Sequence, residues 1–166
     1  GDIIHRSASS ISYPITIRDA ITTILADYTS LASHIADCIR SDKELTATPQ
    51  SEADASYSLW RDEEDYFINW KAPATTIRRM VDALSFPYKG AASTVDGKVA
   101  RILKAEALDN VSIGNRTPGK VIFVHDSKPV VVCGEGLLRI DELVDDLGSS
   151  ILPLSRFRIR FKGFVK

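Results

Sequence analysis

The chain has 166 residues, 44% of them hydrophobic and 26% charged, with 21 Lys and Arg against 22 Asp and Glu. These proportions belong to a folded globular protein and exclude a disordered or collagen-like chain. A net charge of −1 excludes a whole-chain polycation built to coat nucleic acid. No apolar run approaches the roughly 20 residues that a membrane-spanning helix needs. Two cysteines, Cys38 and Cys133, are too few for a disulfide framework and read as free thiols in a reducing cytoplasm.

The opening Gly1-Asp2-Ile3-Ile4 lacks an initiator Met, which predicts a piece of a longer polypeptide. Charge then divides the chain. Residues 1–83 hold 8 basic and 13 acidic side chains, and residues 84–166 hold 13 basic and 9 acidic. Two unlike modules are expected. In the first, Asp2 to Tyr13 alternates loosely, as an edge strand does, and Pro14 ends it. Thr16-x-x-Asp19 has capping-box spacing, so a helix should begin at Ile17. Ile17, Ile21, Ile24, Tyr28, Leu31, Ile35 and Cys38 recur at alternating steps of four and three, one face of a long helix ending between Arg40 and Lys43. That stripe suits a helix laid across a sheet, or a coiled coil.

Residues 44–73 are polar and irregular between Pro49 and Pro73. They contain Tyr57, Trp60, Tyr66, Phe67 and Trp70 around the acidic run Asp62-Glu63-Glu64-Asp65. A loop pinned to a core by its aromatics, with a solvated acidic face, accounts for this composition. Pro73 suits the first turn of a short helix, with Ile77, Met80 or Val81, and Leu84 on its apolar face.

The remainder reads as strands. Asp96-Gly97 is a hairpin turn signal. Lys98–Leu108, Lys120–Val124, Val130–Cys133 and Leu137–Leu143 are β-rich runs. At the end Arg156, Arg158, Arg160 and Lys162 alternate with Phe157, Ile159 and Phe161, which predicts a strand with a basic face and an apolar face. Five or six short strands in this length fit a small closed barrel. The basic strand could meet nucleic acid, cations on phosphate and aromatics on bases, but the alternation assigns the aromatics to the core. His5, His34 and His125 have no metal-ligand spacing, and Gly134-x-Gly136 is a turn between strands, too short for a phosphate loop. The residues alone do not make a complete catalyst.

Taken in order, Gly1-Asp2-Ile3-Ile4, Ile68-Asn69-Trp70, Ile77-Arg78-Arg79, Ala83-Leu84, Pro87-Tyr88-Lys89-Gly90-Ala91, Asp96-Gly97-Lys98, Gly119-Lys120-Val121 and Val131-Val132-Cys133-Gly134-x-Gly136-Leu137-Leu138 resemble the C-terminal part of the formyltransferases that use 10-formyltetrahydrofolate. The resemblance implies an α+β chain. A long N-terminal helix and linker close a truncated α/β catalytic domain over 1–73, and a small OB-like β-barrel follows over 74–166. It also places the family's catalytic Asn, His and Asp upstream of Gly1, so no catalytic residue and no metal is expected here. 10-Formyltetrahydrofolate is then the donor of the parent enzyme, with no binding to this fragment.

Ser58-Leu59-Trp60-Arg61-Asp62-Glu63-Glu64-Asp65-Tyr66 is similar to the sugar N-formyltransferases, which formylate a nucleotide-linked amino-deoxysugar. By that resemblance Tyr88 stacks on the nucleotide base, Lys89 reaches the diphosphate, Gln50 lies in a loop crossing the active-site mouth, and Arg61 pairs with a phosphate. Three of these have a structural alternative: a hinge aromatic for Tyr88, a solvated loop residue for Lys89, the neighbouring acids for Arg61. The other functional readings are the tRNA-binding C-terminal domain of a methionyl-tRNA formyltransferase, and a structural dimerisation module. A cytoplasmic homo-oligomer is expected, since the helix stripe finds no sheet within the chain.

Overall fold

A computed structural model describes residues 1–164, and they fall into two compact units, one from Gly1 to Trp60 and one from Arg61 onward. The sequence places the module boundary at 73/74. In the structure the segment from Arg61 onward, Ile68 and Trp70 included, packs in the second unit.

The first unit is built on α1 (Ile17–Arg40). The Thr16 hydroxyl accepts from the Asp19 amide at 3.3 Å and donates to the Asp19 carboxylate at 2.8 Å, so the capping pair starts the helix where its spacing indicated. No residue of α1 is buried. Its stripe is half-exposed, with Tyr28 at 64% exposure. The edge strand expected over 2–13 does not form. Only Ile3 pairs, in a single bridge with Thr48, because this unit offers no sheet to extend it. Ser7 donates to Asp27 at 2.6 Å and Ser9 donates to the same carboxylate, which fixes the Ser-rich segment on the helix instead.

The second unit contains α2 (Ala74–Leu84) and six strands: β1 (Ala91–Val95), β2 (Lys98–Leu108), β3 (Val121–His125), β4 (Lys128–Val132), β5 (Leu137–Asp145) and β6 (Phe161–Lys162). They form one antiparallel sheet in the order β3-β4-β5-β2-β1-β6. The sheet curls until its two ends meet. Lys120 bridges Arg160, the Val121 amide donates to Ile159 O at 3.2 Å, and the Phe161 amide donates to Gly119 O at 2.7 Å. The result is an α+β unit with a small OB-like barrel.

Two-residue turns join β1 to β2 and β3 to β4. Asp96 and Gly97 take φ of 48° and 79°, and Asp126 and Ser127 take 49° and 64°. Both turns have the positive-φ pair that matches strand twist. Inside the barrel, Ile102, Leu138, Ile140, Leu143 and Phe161 pack with Ile77, Val81 and Leu84 of α2. Pro73 sits at the N-cap of α2 rather than in its first turn.

The long basic strand at the end shrinks to two residues. β6 pairs with β1 at Val95↔Phe161 and Thr94↔Lys162, and one step earlier the partner would be Asp96, already in the hairpin turn. Arg156 and Phe157 therefore leave the sheet. Arg156 donates to Asp96 at 2.6 Å, and Phe157 is 51% exposed, not core. Ile159 and Phe161 are buried, as the alternation indicated.

Candidate nucleic-acid interface

The linker ahead of α2 is bound to the barrel along its length. Trp70 is buried against Phe161, with ring centroids 5.5 Å apart, and its indole donates to Ser93 Oγ at 3.1 Å. Ser93 in turn donates to Lys162 O at 2.8 Å, so one buried chain of bonds joins linker, β1 and β6. Phe67 bridges Ala92, and Pro73 bridges Glu135. The Gly134 amide donates to Trp70 O at 3.0 Å and Ala72 O at 3.1 Å. A Cβ at Gly134 would stand 1.9 Å from Lys71 O, so this glycine is required by the linker crossing over it. Its sequence reading as an ordinary turn misses that close approach.

Between the linker and the barrel's last strand lies a cleft of about 570 Å³. Its aromatic wall is Phe67 and Phe164, packed edge to face at 5.3 Å. Its cations are Lys71, Arg160 and Lys162, against one acid, Glu64. Lys71 and Lys162 are exposed and form no ion pair among the described residues, and Arg160 makes only a 3.5 Å bond to Pro118 O. Free cations beside exposed aromatic edges are what a sequence-tolerant nucleic-acid surface requires: charge for phosphate, a π-face for a base. Arg160 and Lys162 belong to the basic alternation legible in the sequence. Phe67 is legible in the sequence only as a packing aromatic, and Lys71 and Phe164 carry no sequence signal, because only the folded linker brings the three beside β6.

The four residues singled out from the sequence have different fates. Gln50, in the first unit, donates through its side chain to Gly1 O. Arg61 is exposed and forms no ion pair among the described residues. Tyr88 is 49% exposed, with its amide donating to Ser85 O at 2.9 Å, so its ring is a surface group and not a buried anchor. Lys89 is tied to Glu63. Tyr88, Lys89 and Arg61 thus share the second unit, two of them close to the acidic run.

That run has divided labour. Asp65 accepts from the Asp62 amide at 3.0 Å, and Asp62 accepts from the Glu64 amide at 2.9 Å, so these two acids shape the loop. Glu64 lines the cleft. Of the four, Glu63 is the one that forms ion pairs among the described residues, with Lys89 and with Arg101, and both partners hold its carboxyl below the usual range. Tyr57 and Trp60 are 91% and 98% exposed, so of the aromatics Tyr66, Phe67 and Trp70 pin the segment, together with the buried Ile68. No group of three or more His, Cys, Asp or Glu suited to a metal occurs among the described residues. No helix is long and apolar enough to cross a membrane among the described residues. Cys133 is buried, and burial pushes its thiol up to about 12, so it is inert.

The fold and cleft define a class: a small antiparallel barrel with a basic, aromatic-edged groove. Residues 61–157 match the family model described as formyl transferase, C-terminal domain, and the chain belongs to that family. It is 32% identical over 113 residues to the methionyl-tRNA formyltransferase of Burkholderia thailandensis, covering 68% of this chain and 33% of that protein. It is 30% identical over 166 residues to the methionyl-tRNA formyltransferase of Syntrophomonas wolfei, covering 99% of this chain and 50% of that protein. The chain therefore spans a third to a half of these relatives. Among solved structures, a variant of HypX from Aquifex aeolicus shares the fold with a TM-score of 0.51 at 23% identity, over 69% of this chain and 19% of that one.

Proposed function

We propose that this chain is the C-terminal, RNA-contacting part of a cytoplasmic formyltransferase that acts on methionyl-tRNA with 10-formyltetrahydrofolate as donor. The observation that carries the reading is the alignment of nearly the whole chain with a relative of that name. The groove of Lys71, Arg160 and Lys162 supports it, since phosphate contacts supply sequence-independent affinity and orient a bound nucleic acid. The nucleotide-linked sugar has no such support. The relatives carry a tRNA name, and none of those reported carries a sugar name. No step of formyl transfer is assigned to a side chain of this chain; its part is to hold the substrate while groups elsewhere in the parent perform the transfer.

The test is equilibrium binding of the chain to a tRNA transcript over a range of salt. Binding should weaken steeply with salt, with a log–log slope of about −0.9 for each phosphate contacted. Lys71→Gln combined with Lys162→Gln should weaken binding and flatten that slope. Salt-independent binding, or none, would refute the reading.

A further inference from the structure

Outside the cleft, two cations converge on one carboxylate. Lys89 Nζ contacts Glu63 Oε1, and Arg101 Nη2 contacts Glu63 Oε2 at 3.0 Å. The Arg101 side chain is only 9% exposed, lies 5.9 Å from the Tyr66 ring centroid, and is fixed through Nε to Asp146 at 3.1 Å. Its remaining nitrogen, Nη1, is buried with no partner among the described residues. Glu63, by contrast, is 60% exposed and sits on a short loop. The positive half of this pair is built into the barrel. The negative half is held at the surface, where ion pairs are weak and exchangeable.

We propose that Glu63 occupies a phosphate seat, and that a nucleic-acid phosphodiester displaces it from Lys89 and Arg101, releasing residues 61–65 from the barrel. The exchange conserves charge, because a phosphodiester carries one negative charge as Glu63 does. It also presents two free oxygens, as the Glu63 carboxylate does, to Lys89 Nζ and Arg101 Nη2. Tyr88, adjacent in sequence to Lys89 and half-exposed, supplies a ring near the phosphate for the attached base. The loop would then act as a plug that only a competing polyanion removes. The proposal rests on the reading of this chain as an RNA-contacting domain.

The experiment is a double-mutant cycle on the 166-residue chain with a tRNA transcript at fixed salt. Glu63→Gln removes the resident charge and should tighten binding about five- to tenfold. Lys89→Gln in the wild-type background should change binding less than about twofold, because the lysine exchanges one anion for another. In the Glu63→Gln background the same change should cost about five- to tenfold, because there the seat starts empty. Both substitutions are at exposed positions, and a melting curve of each variant verifies that the barrel is folded. Additive effects, or a Glu63→Gln variant that binds no more tightly than a wild type that does bind, overturn the plug and leave the RNA reading standing. Absence of binding by every form, Glu63→Gln included, overturns both.

Discussion

α1 and α2 are written in the same language and end in different states. α1 has 24 residues with a regular apolar stripe, yet buries none of them. α2 has 11 residues and buries Ala74, Ile77, Val81 and Leu84. The difference is the partner. α2 lies against β2, β5 and β1 of its own unit, whereas the first unit has one β-bridge and no sheet. Amphipathic spacing gives a helix a face to bury; free energy is gained only where something covers it.

The largest test of that contrast is Trp70→Ala. It removes a buried indole and its bond to Ser93, and should cost about 3–5 kcal/mol. Thermal unfolding followed by the barrel's far-ultraviolet signal would register it, while α1 helicity should not change. A loss below about 1 kcal/mol would mean that the linker is not part of the barrel's core.

Next is a matched pair of truncations on the two helices. Ile77→Ala, at 2% exposure, should cost about 2–5 kcal/mol. Ile24→Ala, on the half-exposed stripe of α1, should cost less than about 0.5 kcal/mol by denaturant titration. Equal costs would show that the stripe of α1 is covered in solution. Sedimentation at rising concentration would then reveal a second copy as the cover.

Tyr88→Ala separates binding from folding within the second unit. Its ring is half-exposed, so the melting temperature should stay close to wild type. Stacking on a base is worth roughly 1–3 kcal/mol, so binding to a tRNA transcript should weaken correspondingly. A lower melting temperature with unchanged binding would make Tyr88 a packing residue.

The smallest expected effect distinguishes carboxylates of the two units. Burial works to raise the pKa of Asp141, but bonds from Arg139 at 2.7 Å and Lys128 at 3.3 Å outweigh it, so the carboxyl lies below its usual range. Asp27 is also lowered, by Ser7 and Ser9, but on the exposed first unit. A depressed folded pKa gives stability that is complete above the unfolded value near 3.9 and is lost as pH falls through the folded value. The barrel should therefore lose stability below about pH 4, and Asp141→Asn should flatten that limb of the melting profile. Asp27→Asn should leave the barrel's profile unchanged.

Local rules wrote much of this protein. The Thr16–Asp19 cap, the stripe from Ile17 to Cys38, the Asp96-Gly97 turn and the bounds of β2 were all legible, because each depends on interactions between near neighbours. The C-terminal formyltransferase family was legible as an ordered series of short segments. Tertiary structure decided the rest. Residues 2–13 have strand-like alternation but no strand to pair with, and Arg156 and Phe157 leave the sheet because β1 ends in its turn. The candidate cleft unites Phe67 and Lys71 with Arg160, Lys162 and Phe164 from the far end of the chain. Glu63 meets Lys89 and Arg101 across 26 and 38 residues of sequence. Sequence spacing encodes what a residue can present to its neighbours within a few positions; which distant group answers it is fixed only when the sheet closes and the linker is laid across it.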